Sequence, residues 1–351
     1  MTGFTQSSKA QYPSIAIIGA GIIGLSSAWA LARRGARVSL YDQTWPPRGA
    51  SWAAAGMLAP AYEAAGEIGA HPRLFELCMQ SADLWPCFAA DLEAASGIDV
   101  GYHPGPTLAV ATTEERFRQL ESLATDLTRR GIRCGVLRRA EALTLEGALG
   151  PSIIGAITHE TDGQVDNRAV IEALIIACEA SGVRRVPEPP QCDITLETVG
   201  WQADGNHPVK GQLLSLTPIE TGPRHVVNHG SLYIVPKRDR IVIGATSEPG
   251  RSDTAADKQA TDALRQQAIA LIPDLSKAKT QERWAGVRPA TADRAPVFGN
   301  PDPSRFIATG HYRNGILLAP ITARLMADMI LDGHVSDLAA AFSPDRFVVA
   351  D

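Results

Sequence analysis

Ser14-Ile-Ala-Ile-Ile-Gly19-Ala-Gly21-Ile-Ile-Gly24 is followed by Leu25 to Arg34 in helical character, by Gly35, and by Arg37 to Tyr41 ending on Asp42. Residues 14–18 are apolar and rich in β-branched side chains, as a parallel strand buried on both faces requires. The order is therefore strand, G-x-G-x-x-G turn, helix, strand and acid, with Asp42 eighteen positions after Gly24. Each part has a physical task in holding a dinucleotide. Gly19 permits the tight turn, Gly21 lets the backbone approach a pyrophosphate, and Gly24 lets helix and strand pack closely. The helix start offers free N–H groups and the positive end of its dipole. Asp42 can accept hydrogen bonds from an adenosine ribose and would repel a 2′-phosphate. The motif by itself does not separate FAD from NAD.

Outward from this unit, the whole chain narrows the choice. Its 351 residues suffice for two domains or one large discontinuous one. A net charge of −5 and a pI near 5.9 provide no basic footprint for nucleic acid and no polybasic membrane patch. Cys78, Cys87, Cys134, Cys178 and Cys192 are scattered, with no C-x-x-C and no His/Cys cluster at metal spacing. That is the pattern of thiols in a reducing compartment, so no metal is expected and the cytoplasm is the expected location. Ser14 to Ala32 carries no charge, yet Gly19, Gly21 and Gly24 interrupt it and no basic leader or cleavage site accompanies it. Neither a membrane span nor a signal peptide is expected.

Two more blocks carry information. Arg48-Gly-Ala-Ser-Trp-Ala-Ala-Ala-Gly-Met57-Leu-Ala-Pro60 is a run of small residues, suited to backbone lying against a flat ring; by pattern alone it reads equally as an ordinary helix and loop. Near the far end, Gly286-Val-Arg288-Pro-Ala-Thr-Ala-Asp293 leads to a strand, Phe306 to Thr309. Gly310-His-Tyr-Arg313-Asn-Gly315-Ile-Leu-Leu-Ala-Pro320 then opens a helix running to about Leu331. With the amino-terminal motif, these blocks resemble the D-amino-acid oxidase superfamily of FAD flavoproteins, and most closely its glycine oxidase branch of the thiamine-biosynthesis type. Pro208-Val-Lys-Gly-Gln-Leu-Leu214 and Ser231-Leu-Tyr233-Ile-Val-Pro236 are similar to that family's substrate-domain strands. The resemblance covers nearly the whole chain, and its last two blocks are its most specific.

The resemblance implies an α/β fold, α+β overall. A Rossmann-like FAD-binding domain would comprise residues 12–60, 151–207 and 285–345, and a mainly antiparallel-sheet substrate domain residues 61–150 and 208–284. Carried over position by position, cofactor contacts fall on Gly19, Gly21, Ile22, Ile23, Gly24, Asp42 and Gln43. They continue on Ala50, Ser51, Ala55, Gly56 and Met57, and on His311, Tyr312, Arg313, Asn314, Gly315, Ile316 and Leu317. Gly315, Ile316 and Leu317 would turn their N–H groups to the pyrimidine edge of the flavin. Arg313 and Arg288 match the family's substrate-site arginines, a guanidinium being suited to a carboxylate by two parallel hydrogen bonds. Tyr233 reads equally as a phenolic partner of that carboxylate or as a core strand aromatic. His311 is expected at the flavin edge or in a structural role, not as a general base.

The implied reaction is oxidative deamination of glycine or a similar small amino acid or amine by FAD and dioxygen, yielding an oxo acid, ammonia and hydrogen peroxide. Glycine, sarcosine and small D-amino acids differ by about a methyl group, worth ~1–3 kcal/mol in a pocket, so the residues do not rank them. A dehydrogenase passing electrons to a quinone or carrier, and a non-catalytic flavin-binding subunit, are the alternatives on the same fold. The resemblance suggests a homo-oligomer, tetramer or dimer. One segment departs from the family. Residues 183–207 are shorter than its pattern, lack a backbone contact near the adenine end of FAD, and carry Pro187, Pro189 and Pro190, which disfavour a regular hairpin. Ile194 to Val199 is expected as a shortened strand, with Gly200-Trp201 as the remnant of a closing turn.

Overall fold

A computed structural model describes residues 12–62 and 71–347; residues 63–70 of the expected 61–150 segment lie outside these. Ser14–Ile18 is inside a six-stranded sheet ordered Val297–Asp302, Arg305–Thr309, Ile194–Glu197, Ser14–Ile18, Arg37–Tyr41, Arg184–Arg185. All neighbours run parallel except the hairpin formed by the first two. Ile15 and Ile17 are fully buried, because helices Ile22–Arg33, Leu74–Ser96, Asn167–Ala180 and Gly315–Asp332 share one apolar core with this sheet. Such burial explains why the first strand reads as an unbroken apolar run.

A second, nine-stranded sheet is mostly antiparallel. Its longest pair, His207–Leu216 and Thr280–Ala290, stands at one end, and the sheet extends from His207–Leu216 through Ile241–Gly244, Leu232–Pro236 and Val227–His229 to Thr107–Ala111, Gly155–His159 and Cys134–Arg138. The helix Lys258–Leu271 covers one face with Leu264, Ala268 and Leu271. A small sheet of Met57–Leu58, Gly163–Gln164 and His103–Pro104 completes the set.

Two elements join sheets across the expected division of the chain. Gly155–His159, placed with the FAD-binding segments, pairs with Thr107–Ala111 and Cys134–Arg138 in the nine-stranded sheet. Leu74–Ser96, placed with the substrate segments, buries Leu77, Trp85 and Leu92 in the core beneath the six-stranded sheet. Strand alternation in the one and an apolar stripe in the other reveal burial, but not against which sheet.

In the shortened segment, Arg184–Arg185 pairs with the edge of Arg37–Tyr41, and the proline-bearing residues 186–193 form no strand before Ile194–Glu197 enters the sheet centre. The shortened strand thus ends at Glu197, not Val199. None of the five cysteines forms a disulfide, and no described helix is long and apolar enough to cross a membrane.

Candidate active site

The two sheets meet over an elongated cleft of about 520 Å³. Its first end is the glycine turn. Gly19 has φ +108 and donates its N–H to Tyr41 C=O at 2.8 Å, which ties the two strands. A Cβ on Gly24 would lie 1.9 Å from Gly19 O, so this glycine serves close packing and does not line the cleft. A Cβ on Gly21 would approach only Ser51 Oγ, at 3.3 Å; its other side is open to the cleft. Asp42 accepts from Ala20 N–H at 2.6 Å and Thr44 N–H at 2.8 Å, which fixes its carboxylate beside the turn with lone pairs remaining for a ligand hydroxyl.

The small-residue block forms one wall. Ser51 Oγ accepts from Ile22 N–H at 3.1 Å, and Asn167 Nδ2 donates to Ser51 and Trp52 C=O. Trp284 Nε1 donates to Ala53 C=O at 2.9 Å, and a Cβ on Gly286 would lie 2.5 Å from Ala53 Cβ. The small side chains are thus dictated by backbone crossing backbone. Ala50, Ser51, Ala55, Gly56 and Met57 line the cleft, together with Ile22, Ile23 and Gln43.

The opposite end is cationic. Arg288 extends from Thr280–Ala290 across Gly211, where a Cβ would lie 2.5 Å from Nη1 and Nη2, and Nη1 donates to Thr246 C=O at 3.2 Å. Tyr233 lies in the same manner over Gly244, whose Cβ would meet the phenol ring at 2.7 Å. Arg313 is exposed, on a turn where Gly310 and Tyr312 have φ +72 and +48 and Tyr312 N–H donates to Pro289 C=O. Arg288, Tyr233 and Arg313 all line the cleft.

At the helix Gly315–Asp332 the first intrahelical bond is Leu318 N–H to Asn314 C=O, which leaves the N–H groups of residues 315–317 ahead of the ladder. His311, Tyr312, Asn314, Gly315 and Ile316 line the cleft; the buried Leu317 does not. Leu317 C=O accepts from Ser81 Oγ at 2.6 Å and Trp85 Nε1 at 2.9 Å, anchoring the first turn of the helix. His311 is buried against Thr322 Oγ1 at 3.0 Å, and burial pushes its imidazole down to about 3, so it stays neutral.

Several lining residues left no mark in the sequence. Thr198 Oγ1 donates to Gly19 C=O at 2.8 Å and closes the turn from the shortened segment; Val199 to Gln202 continue that wall. Gly200-Trp201 was legible as a turn, but not as part of a site. Gly211, Ser231 and Thr254 join only because distant strands meet here.

A parallel sheet whose first turn faces a long cleft, with small residues along it and guanidinium groups at its end, defines a dinucleotide-dependent oxidoreductase. The chain belongs to the FAD dependent oxidoreductase family (DAO), which matches residues 14–204 and 190–329. The two matches overlap at 190–204. Among similar proteins, the glycine oxidase of Geobacillus kaustophilus is 32% identical over 369 residues, covering 95% of this chain and 97% of that one. The bifunctional protein ThiO/ThiG of Synechocystis sp. is 34% identical over 374 residues, covering 95% of this chain and 54% of that longer one. The crystal structure of the Geobacillus kaustophilus glycine oxidase superposes with a TM-score of 0.87 at 31% identity, covering 95% and 98% of the two chains.

The described residues fit FAD: Gly21 is open where a diphosphate must approach, Asp42 is fixed beside it, and the wall from Ala53 to Gly56 carries only small side chains.

Proposed function

We propose that this protein oxidatively deaminates glycine or a similar small amino acid, such as sarcosine or a small D-amino acid, to the oxo acid with hydrogen peroxide and ammonia, or methylamine where the substrate is sarcosine. The observation that carries this reading is the convergence of Arg288, Arg313 and Tyr233 on the cleft that the glycine turn opens. FAD, when bound, supplies the two-electron acceptor that dioxygen regenerates. The protein contributes grip and orientation. Arg313 and Arg288 hold the substrate carboxylate, and the Tyr233 hydroxyl adds a hydrogen bond to it. Gly19, Gly21, Ile22 and Ile23 receive the diphosphate, and Asp42 and Gln43 lie at the ribose end. Ala55, Gly56 and Met57 face the ring system, and the N–H groups of Gly315, Ile316 and Leu317 favour negative charge at its edge. The six-stranded sheet belongs to the cofactor half and the nine-stranded sheet to the substrate half. A cytoplasmic homo-oligomer serving thiamine biosynthesis completes the proposal.

Anaerobic mixing of the purified holoprotein with glycine, sarcosine and D-alanine tests it. Bleaching of the flavin absorbance that recovers in air with peroxide formed is the expected result, and the rates rank the substrates. Bleaching without rapid recovery indicates a dehydrogenase, and no bleaching with any of the three overturns the substrate class.

A further inference from the structure

Lys237 lies just beyond the strand Leu232–Pro236, in the tight turn where its N–H donates to Arg240 C=O at 2.7 Å. Its side chain leaves that turn and crosses to residues 163–167. There Nζ donates to Gln164 Oε1 at 3.0 Å and to Val165 C=O at 2.5 Å. These two acceptors are themselves tied to the cleft wall: Met57 pairs with Gln164, and Val165 N–H donates to Gly56 C=O at 2.8 Å. Gly56 has φ +75, and a Cβ there would lie 2.1 Å from Val165 O and 3.1 Å from Lys237 Nζ. The ammonium therefore packs directly behind the turn whose other side, from Ala54 to Met57, lines the cleft; Lys237 is not itself a lining residue.

We propose that Lys237 is a positioning residue for FAD: through Gln164 and Val165 it fixes the Ala54–Met57 wall on which the ring system lies, and it sets a positive charge behind that wall. This rests on the ring placement given under the proposed function. Three charged groups face the ammonium. Asp166, at the start of the helix Asn167–Ala180, and Asp239 favour its charged form, and Arg240 opposes it. Burial is the largest influence and brings the ammonium down to about 7, so the charge is present in mildly acidic solution and fades above neutrality. A cation there favours the redox state of the cofactor that carries more negative charge.

The test uses the full-length Lys237→Met and Lys237→Arg proteins, with two readouts: the FAD dissociation constant and the flavin midpoint potential from pH 5.5 to 8.5. In the wild type, the potential should show an added pH dependence that changes slope near neutrality. Lys237→Met should lower the potential below neutral pH, remove that change of slope, and raise the FAD dissociation constant about tenfold, as for one lost charge-assisted hydrogen bond. Lys237→Arg should keep FAD and lose only the change of slope, since arginine does not titrate there. A potential–pH curve in both variants superimposable on the wild type overturns the proposal, even if FAD binding weakens, because that residue would then act only in packing. Failure of the wild-type protein to bind FAD would instead refute the cofactor placement and is seen before either variant is made.

Discussion

Replacement of Gly211 by alanine is the sharpest test of the carboxylate grip. The added Cβ would lie 2.5 Å from Arg288 Nη1 and Nη2 and 2.6 Å from Cζ. Ordinary carbon contacts need about 3.5 Å or more, so the guanidinium must retreat by about 1 Å. It is the far end of a flexible side chain, and alanine is acceptable in the strand His207–Leu216, so folding loses little. Orientation is lost instead. A displacement of ~1 Å at a positioned group can cost about 100-fold, and forfeiting a charged hydrogen bond costs ~1.5–3 kcal/mol, roughly 10- to 150-fold. Gly211→Ala should therefore lower kcat/KM for glycine by about 10- to 100-fold and weaken acetate, a carboxylate without an amine, to a similar degree. FAD content and melting temperature should stay near wild type. Steady-state kinetics, acetate titration of the flavin spectrum and thermal unfolding measure all three. Unchanged kcat/KM with unchanged acetate binding would refute the role given to Arg288.

Arg313→Ala should leave the protein yellow while reducing turnover by at least about 100-fold; loss of colour would place Arg313 in cofactor binding instead. Gly56→Ala should cost FAD and stability together, because its Cβ meets the backbone oxygen of Val165 at 2.1 Å and its φ of +75 strains an L-residue; a variant with normal FAD content contradicts the wall geometry. Stability should fall as pH drops from 6.5 toward 4. The folded chain holds His159 and His311 neutral, at about 4 and about 3, whereas the unfolded chain's imidazoles protonate near 6.5. The unfolded state thus binds more protons throughout that window. Urea titrations at successive pH values should show a shallower dependence in His159→Gln, whose wild-type imidazole is fully buried with Nε2 lacking a hydrogen-bond partner; an identical slope refutes this source of the acid sensitivity.

The pieces with local causes could be read from the residues alone. The strand Ser14–Ile18, the glycine turn, the helix and Asp42 are legible because each depends on neighbours a few residues away, and Gly310 and Asn314-Gly315 announce the turn into the last helix for the same reason. Family resemblance extended this to Arg288, Arg313 and the small-residue block, which stand far apart in the chain and share one cleft. Why particular positions must be glycine emerges from contacts between distant segments. Gly211 and Gly244 look like weak points in strands until Arg288 and Tyr233 are seen lying across them, and Gly286 until Ala53 is against it. Nor could periodicity assign Gly155–His159 and Leu74–Ser96 to their sheets, since an apolar face records that it is covered and not by what. Lys237 is the extreme case. In the sequence it is one lysine beside Arg238 in an ordinary hairpin turn. Its two acceptors and its place behind Gly56 arise from segments some seventy and more residues away, and no short-range pattern encodes such a meeting.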